Sequence, residues 1–406
     1  MDFTPLLPVT IIGAGPSGLA LAADLQLRGH AVLVYTHPTH RRQADRILQN
    51  SSIIHVTGLN SSFSSALSIP ITLTTCITAA VTFSPLLILT VPSTGQETIL
   101  HTLRETNLSL QNHTLLAIPG NLISLLPEVL SLDLGWIIET NLSPYSCRLD
   151  TSQVTPTLSI LGKKSTLWCS GSLQLPHRLV LVVECLLPCK ITWTASILET
   201  SLGNVNGVFH PLMMLMNTGW LESSSSGSGS ARGNGKRKGK GKRKRRESFL
   251  LYAQGLSPSV ARAMDSLDKV RINIAQIMGY DFATQSAVEI SNACYAQRFG
   301  DAVSLARGSG PHRTLRAPDE GLAHRNVVED VPDLLVCWMG LAEKLGVDAT
   351  PIKAVVGLAE MATGKDFVRE GRGLQRLGLE GMTRDELVER FGRQREEDMV
   401  MAASRL

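Results

Sequence analysis

Gly13, Gly15 and Gly18 stand in the string GAGPSG, between the apolar run Val9 to Ile12 and a helix-compatible stretch that reaches about Arg28. Glycines at that spacing let the backbone approach a pyrophosphate. The amino end of the helix then turns its free N–H groups and positive dipole toward the anion. The strand–turn–helix context makes the motif specific and implies a dinucleotide site.

The string GAGPSGLALA (13–22) resembles flavin monooxygenases as much as dehydrogenases, so nicotinamide and flavin both stay open at this point. The end of the second strand, where a ribose-binding carboxylate usually sits, holds Thr36, followed by His37 and the basic pair Arg41 and Arg42. A missing carboxylate with arginines nearby favours a 2′-phosphate, hence NADP over NAD or FAD. Alternatively, the two arginines simply solvate a loop.

A second set of residues could move protons. His210 lies beside Asn204 and Asn206, where sheet-type patterning gives way to helical patterning, the usual position of a cleft. Asn206, one helical turn before His210, is placed to orient a substrate or cofactor. A lone histidine is more often a packed structural residue. Asn121 and Thr140 fall at expected carboxyl ends of strands, where open α/β sheets bind ligands. The seven cysteines (76, 147, 169, 185, 189, 294 and 337) include no CxxC pair and no metal-type spacing, which predicts reduced, mostly buried thiols and no metal site.

These residues need elements to hold them. Val9–Ile12, the glycine turn, the following helix and a strand from Ala31 to Tyr35 make one βαβ unit. Strand-like runs at 86–91, 114–118, 135–139 and 159–161 alternate with helical stretches such as 96–107, which predicts a doubly wound α/β sheet over about the first 200 residues. The absence of charge between Arg46 and Glu97 fits a buried parallel sheet. Pro70, Pro85 and many Ser and Thr residues argue against a membrane span there. Beyond residue 200 the periodicity is helical: Ser257 and Pro258 open a helix that Gly279 stops, and further helices are expected over 334–345, 352–362 and 384–391. The fold class is thus α/β, a Rossmann domain over 1–203 followed by an all-α domain over 204–406.

With 406 residues, 43% hydrophobic and 18% charged, the chain has ample material for a core and is not of disordered composition. Its net charge of +4 is misleading. Ten of the 39 basic residues fall between Arg232 and Arg246, and the rest of the chain is mildly acidic. The tract 223–246, Ser/Gly-rich and then Lys/Arg/Gly-rich, has no apolar residue larger than alanine and reads as a disordered surface insertion, or else as a nuclear-localisation or nucleic-acid tether. Nothing outside it argues for a nucleic-acid surface. No secretory signal is read at the amino terminus, so the five Asn-x-Ser/Thr sequons carry no expectation of glycosylation.

A wider resemblance now enters. VPSTGQE (91–97), PGN (119–121), ETNLSPYSCR (139–148), NVNGVFHP (204–211), SPSVAR (257–262), HRNVVEDVP (324–332) and DFVREGRGLQRLGL (366–379), in that order along nearly the whole chain, are similar to the opine dehydrogenase family of octopine/nopaline type. The resemblance implies reductive condensation of an amino acid with an α-keto acid at the expense of NAD(P)H. It places the family's catalytic histidine at His210 and its partner carboxylate at Asp330. A carboxylate on one imidazole nitrogen fixes the tautomer and raises basicity, leaving the other nitrogen to exchange a proton. Arg325 matches the position that holds the keto-acid carboxylate, for which its donor fork is suited. Two departures, the basic insertion and Asn326-Val327 in place of an aromatic, leave substrate choice open.

The partners expected are therefore small molecules, with no membrane. Two other readings are kept: an FAD-binding monooxygenase-like oxidoreductase, and a catalytically inactive nucleic-acid-associated protein using the basic run. The terminal Ser404-Arg405-Leu406 is a conservative variant of the peroxisomal address, so a peroxisomal or cytoplasmic location is expected.

Overall fold

The computed structural model describes residues 6–59, 66–152, 154–172, 174–225 and 249–393. Its strands are β1 (Val9–Ile12), β2 (Val32–Tyr35), β3 (Ile53–Thr57), β4 (Leu67–Pro70), β5 (Leu73–Thr74), β6 (Leu86–Leu89), β7 (Thr114–Ala117), β8 (Trp136–Thr140), β9 (Tyr145–Asp150), β10 (Thr157–Lys163), β11 (Thr166–Gly171) and β12 (Lys190–Trp193).

The main sheet runs β12-β11-β8-β7-β6-β1-β2-β5, and every neighbouring pair is parallel except β11 with β8. Strands β1, β2, β6 and β7 are buried at every residue, as parallel strands covered on both faces must be. The chain winds outward from β1 to β2 and β5, then returns to lay β6 on the other side of β1. That reversal opens a crevice at the carboxyl ends of β1 and β6, where doubly wound sheets bind ligands.

The charge-free stretch is only partly in this sheet. β3 and β4 are an antiparallel pair in a second, four-stranded sheet ordered β4-β3-β10-β9. In β3 only Ile54 and Val56 are fully buried. This one-faced alternation suits a sheet covered on one side, and an absence of charge alone could not distinguish it from a two-faced parallel strand.

After Ile197–Leu202 the architecture is helical. The long helix Pro258–Ile277 packs on Asn206–Leu215, Val336–Leu345 and Thr350–Thr363. Ser257 caps it, its hydroxyl accepting from the Val260 N–H, Pro258 occupies the first turn, and Gly279 ends it at φ +71°. One buried apolar cluster joins sheet and helices, so the two halves share a core. Helix Thr218–Ser225 takes in Ser223 to Ser225, the first residues of the expected insertion; the rest of the basic tract, and Ser404 to Leu406, lie outside the described residues. No described helix is long and apolar enough to cross a membrane. Of the cysteines, Cys169, Cys294 and Cys337 are buried, Cys147 and Cys189 half-buried, and Cys76 and Cys185 exposed, fewer buried thiols than their apolar neighbours suggest.

Candidate active site

The glycine turn leaves β1 at the crevice. Gly13 sits at φ +126°, and a Cβ there would fall 2.8 Å from Thr90 Oγ1 at the end of β6. A Cβ on Gly18 would fall 2.0 Å from the Gly13 carbonyl, so only glycine allows the helix Pro16–Leu27 to start so close to β1. A Cβ on Gly15 would meet nothing within 4 Å. The turn is thus closed by backbone on the inner side and open outward, with Gly15 as a helix N-cap that has no side-chain partner. Such a cradle fits a dinucleotide pyrophosphate.

Thr36 is buried at the end of β2, its N–H donating to the Thr74 carbonyl at 3.0 Å. Arg41 and Arg42 are exposed just beyond it. Arg41 Nε donates to Asp45 Oδ1 at 2.8 Å. With Thr39, Arg46 and Gln49 they border an open depression of about 580 Å³.

Across the crevice lies a cavity of about 190 Å³ shared by both halves, bordered by Ser17, Thr90 and Pro92 on the glycine-turn side and by Asn206, His210 and Arg325 on the helical side. His210 projects from Asn206–Leu215, one turn after Asn206. Its Nδ1 lies 2.7 Å from Asp330 Oδ2 and its Nε2 lies 3.1 Å from the Tyr252 hydroxyl. An ionised carboxylate can only accept, so the neutral ring carries its proton on Nδ1, and Nε2 accepts from Tyr252. Burial pushes the Tyr252 phenol well up, so that O–H stays protonated. Asp330 is 2% exposed and stands where helix Arg325–Val328 passes into the π-helical turn Val331–Leu335.

Arg325 faces the cavity with its side chain 46% exposed. Its Nε forms an ion pair with Glu329 Oε2 at 2.8 Å, and that pairing holds the guanidinium above its usual range. Glu329 is fully buried and its other oxygen accepts from the Ser93 N–H at 3.1 Å, capping the helix Ser93–Glu105 of the sheet half. Ser93 Oγ donates to Asp333 Oδ2 at 2.5 Å. Burial pushes the Asp333 carboxyl up to about 6 even with the Arg372 guanidinium nearby. Arg372, itself buried, donates to the carbonyls of Asn121 and Ser93 and to Gln96 Oε1. Residues from VPSTGQE, PGN, HRNVVEDVP and DFVREGRGLQRLGL therefore meet around one buried network.

The structure thus brings His210, Asp330, Arg325 and Asn206 together. Asn121 and Thr140 stand behind the cavity instead of lining it. Asn121, at φ +52°, accepts from Asn204 Nδ2 at 2.9 Å, and Thr140 Oγ1 donates to the Leu142 carbonyl at 2.9 Å. Several wall residues had no individual sequence signal. Tyr252 follows the basic tract, and Lys164 and Tyr295 lie in unremarkable strand-turn and helix contexts. Arg148 and His324 sat inside quoted motifs without being singled out. His312, packed against the rings of Tyr252 and Tyr295, and His324 are both lowered to about 3, by burial first and by neighbouring positive charge second, so both are neutral at pH 7.

Residues 193–363 match the family model described as NAD/NADP octopine/nopaline dehydrogenase, alpha-helical domain. The Protein ocs of Agrobacterium tumefaciens (strain Ach5) is 26% identical over 94% of this chain and 98% of its own length. The chain is thus similar to opine dehydrogenases across its helical half and, at lower identity, along nearly its whole length. An opine dehydrogenase of Arthrobacter sp. (strain 1C) is 31% identical over 46% of this chain and 45% of its own length. The solved octopine dehydrogenase with NADH and L-arginine shares the fold at TM-score 0.64 and 17% identity, covering 96% of this chain and 100% of that one. The matched family model and that solved structure both name a nicotinamide cofactor, the first of the two classes that the glycine string left open.

Proposed function

We propose that the chain catalyses the reversible reductive condensation of an amino acid with an α-keto acid. In the forward direction the amine and the carbonyl lose water to form an imine. Bound NAD(P)H supplies the hydride, and the products are a secondary-amine dicarboxylate, NAD(P)⁺ and water. Gly13, Gly15 and Gly18 hold the pyrophosphate at the amino end of Pro16–Leu27. Arg325, fixed by Glu329, holds the keto-acid carboxylate. His210, with its tautomer set by Asp330, gives and takes a proton at the carbonyl oxygen through Nε2, and substrate takes the place of the Tyr252 hydroxyl there. Asn206 orients the substrate from the same helix face; Asn121 and Thr140 shape the strand ends behind the cavity. In this division of labour residues 1–203 bind the cofactor and contribute one wall of the substrate cavity, and 204–406 supply the acid–base pair and the keto-acid arginine. The observation that carries the reading is the Asp330–His210–Tyr252 array beside Arg325 in a cavity bounded by the glycine turn. The test is NADH and NADPH oxidation across a panel of amino acids and keto acids. A folded protein that binds cofactor yet consumes none with any pair refutes it.

The cofactor of choice is proposed to be NADPH. The support is Thr36 in place of a carboxylate and the open depression bordered by Arg41, Arg42 and Arg46. Arg41→Ala with Arg42→Ala should erase the preference, and tighter binding of NADH by the unaltered protein defeats the proposal. A peroxisomal location rests on Ser404-Arg405-Leu406 alone. A fluorescent protein fused to the amino terminus should reach peroxisomes and become diffuse when Leu406 is deleted; a diffuse signal from the intact fusion counts against it.

A further inference from the structure

The substrate cavity has an unbalanced charge. Its wall carries Arg148, Lys164 and Arg325 and, among the described residues, no aspartate or glutamate. The two nearest carboxylates are already engaged, Asp330 by His210 and Glu329 by Arg325 and Ser93.

Lys164 is the telling member. It is 7% exposed, and its Nζ donates to the Ser143 carbonyl at 2.7 Å and the Tyr295 hydroxyl at 3.2 Å, both neutral acceptors. The groups that act on its charge are Tyr295, Cys294 and Cys189, none of them a carboxylate. An ammonium has three donors, so one remains for the cavity. Burying a cation without a counter-ion costs several kcal/mol in general, a cost that an anion bound in the cavity would offset. Arg148, on β9, is exposed at the cavity rim and has no ion pair among the described residues.

Building on the proposed reaction, we infer that the cavity is made for a condensation product with three carboxylates. Every such product has two, one from the keto acid and one from the amino acid, and these engage Arg325 and the buried Lys164. The third engages Arg148. It comes either from an acidic amino-acid side chain or from a dicarboxylic keto acid, chemically the same group from two sources. A guanidinium or ammonium side chain would instead meet the like charges of Arg148 and Lys164, neither of which has an ion pair among the described residues.

The experiment measures kcat/KM for glutamate with pyruvate, alanine with 2-oxoglutarate, alanine with pyruvate and arginine with pyruvate. One of the first two pairs should exceed alanine with pyruvate by at least about tenfold, the scale of one charge-assisted contact, and identifies the source. Arginine with pyruvate should be slowest. Arg148→Gln, a change at an exposed site, should reduce the preference to about threefold or less, and Lys164→Met should raise KM for every pair. If alanine or arginine with pyruvate is the best pair, the inference fails while the reaction stands. If no pair reacts, the reaction fails, and thermal shift of the cofactor-bound protein then decides the cavity separately. Synthetic N-(1-carboxyethyl)glutamate should stabilise it more than N-(1-carboxyethyl)arginine, and the opposite order overturns the inference.

Discussion

Replacing Asp330 with asparagine keeps the shape of the side chain and removes its charge. In the native arrangement Oδ2 lies 2.7 Å from His210 Nδ1. When His210 takes a proton the two charge centres are about 4 Å apart, and at an effective dielectric of roughly 20 their attraction is about 4 kcal/mol. Asp330 is 3% and His210 17% exposed at the side chain, so solvent screening removes only part of this. About 3 kcal/mol, or roughly 10²-fold in rate, is therefore attributable to charge alone. An amide can also turn its NH₂ toward Nδ1, which would move the imidazole proton to Nε2 and leave no acceptor there; a tautomer error of this kind extends the loss toward about 10⁴-fold. Asp330→Asn should thus lower kcat for opine formation by about 10² to 10⁴. The Kd for NADPH should stay within about twofold, because the glycine turn is untouched. Steady-state turnover and cofactor fluorescence titration read the two quantities. A kcat within threefold of the unaltered protein would falsify the role given to this pair.

Arg325→Lys loses the bidentate fork but keeps a charge, so KM for the keto acid should rise about tenfold with a smaller change in kcat; an unchanged KM moves keto-acid binding elsewhere. In Gly18→Ala the new Cβ would stand 2.0 Å from the Gly13 carbonyl, and the resulting strain of about 3 kcal/mol should weaken cofactor binding at least about 10²-fold, measured by titration. The sign of the His312 effect follows from its lowered proton affinity. Its folded value is about 3 against 6.5 unfolded, so the unfolded chain takes up the proton first and stability falls with acid through that window. Between pH 7 and pH 5 this residue should account for about 2 kcal/mol of lost stability. His312→Gln should remove that share in urea denaturation at the two pH values, and an unchanged pH dependence contradicts the buried, neutral histidine.

The parts of this protein that could be read without coordinates are those whose chemistry is local. Gly18 declares a turn because its constraint is a clash with the backbone carbonyl of Gly13, five residues earlier. Ser257, Pro258 and Gly279 mark the two ends of one helix just as locally. His210 and Asp330 are 120 positions apart, and no periodicity connects them; ordered motifs along the chain linked them before geometry did. Lys164 and Tyr252 had no signal at all, since a lysine in the turn between two strands and a tyrosine in an apolar run are ordinary until folding places both on one cavity wall. Asn121 and Thr140 were drawn to the site by their strand-end positions, which are correct as positions. Asn121 Oδ1 accepts from Asn204 and Thr140 Oγ1 donates to the Leu142 carbonyl, so they support the wall from behind.

The short segment 329–333 shows why the site is more than a set of aligned motifs. Glu329, Asp330 and Asp333 are three buried carboxylates within five residues, and like charges so close repel unless each is answered separately. Each is. Glu329 takes Arg325 and the Ser93 N–H, Asp330 takes His210, and Asp333 takes the Ser93 hydroxyl with Arg372 close by. The π-helical turn from Val331 to Leu335 begins immediately after Asp330 and changes the angular step of the helix there, so that successive carboxylates face different partners. Two of the three reach Ser93, at the start of the helix after β6, on the cofactor side of the crevice. Arg325, proposed to grip the keto acid, is therefore tied through Glu329 and its hydrogen bond with the Ser93 N–H to the segment that follows β6, against which the glycine turn packs. A disturbance at Ser93 should register in both halves of the site, in keto-acid KM and in cofactor Kd, although Ser93 itself touches neither ligand-facing guanidinium nor imidazole.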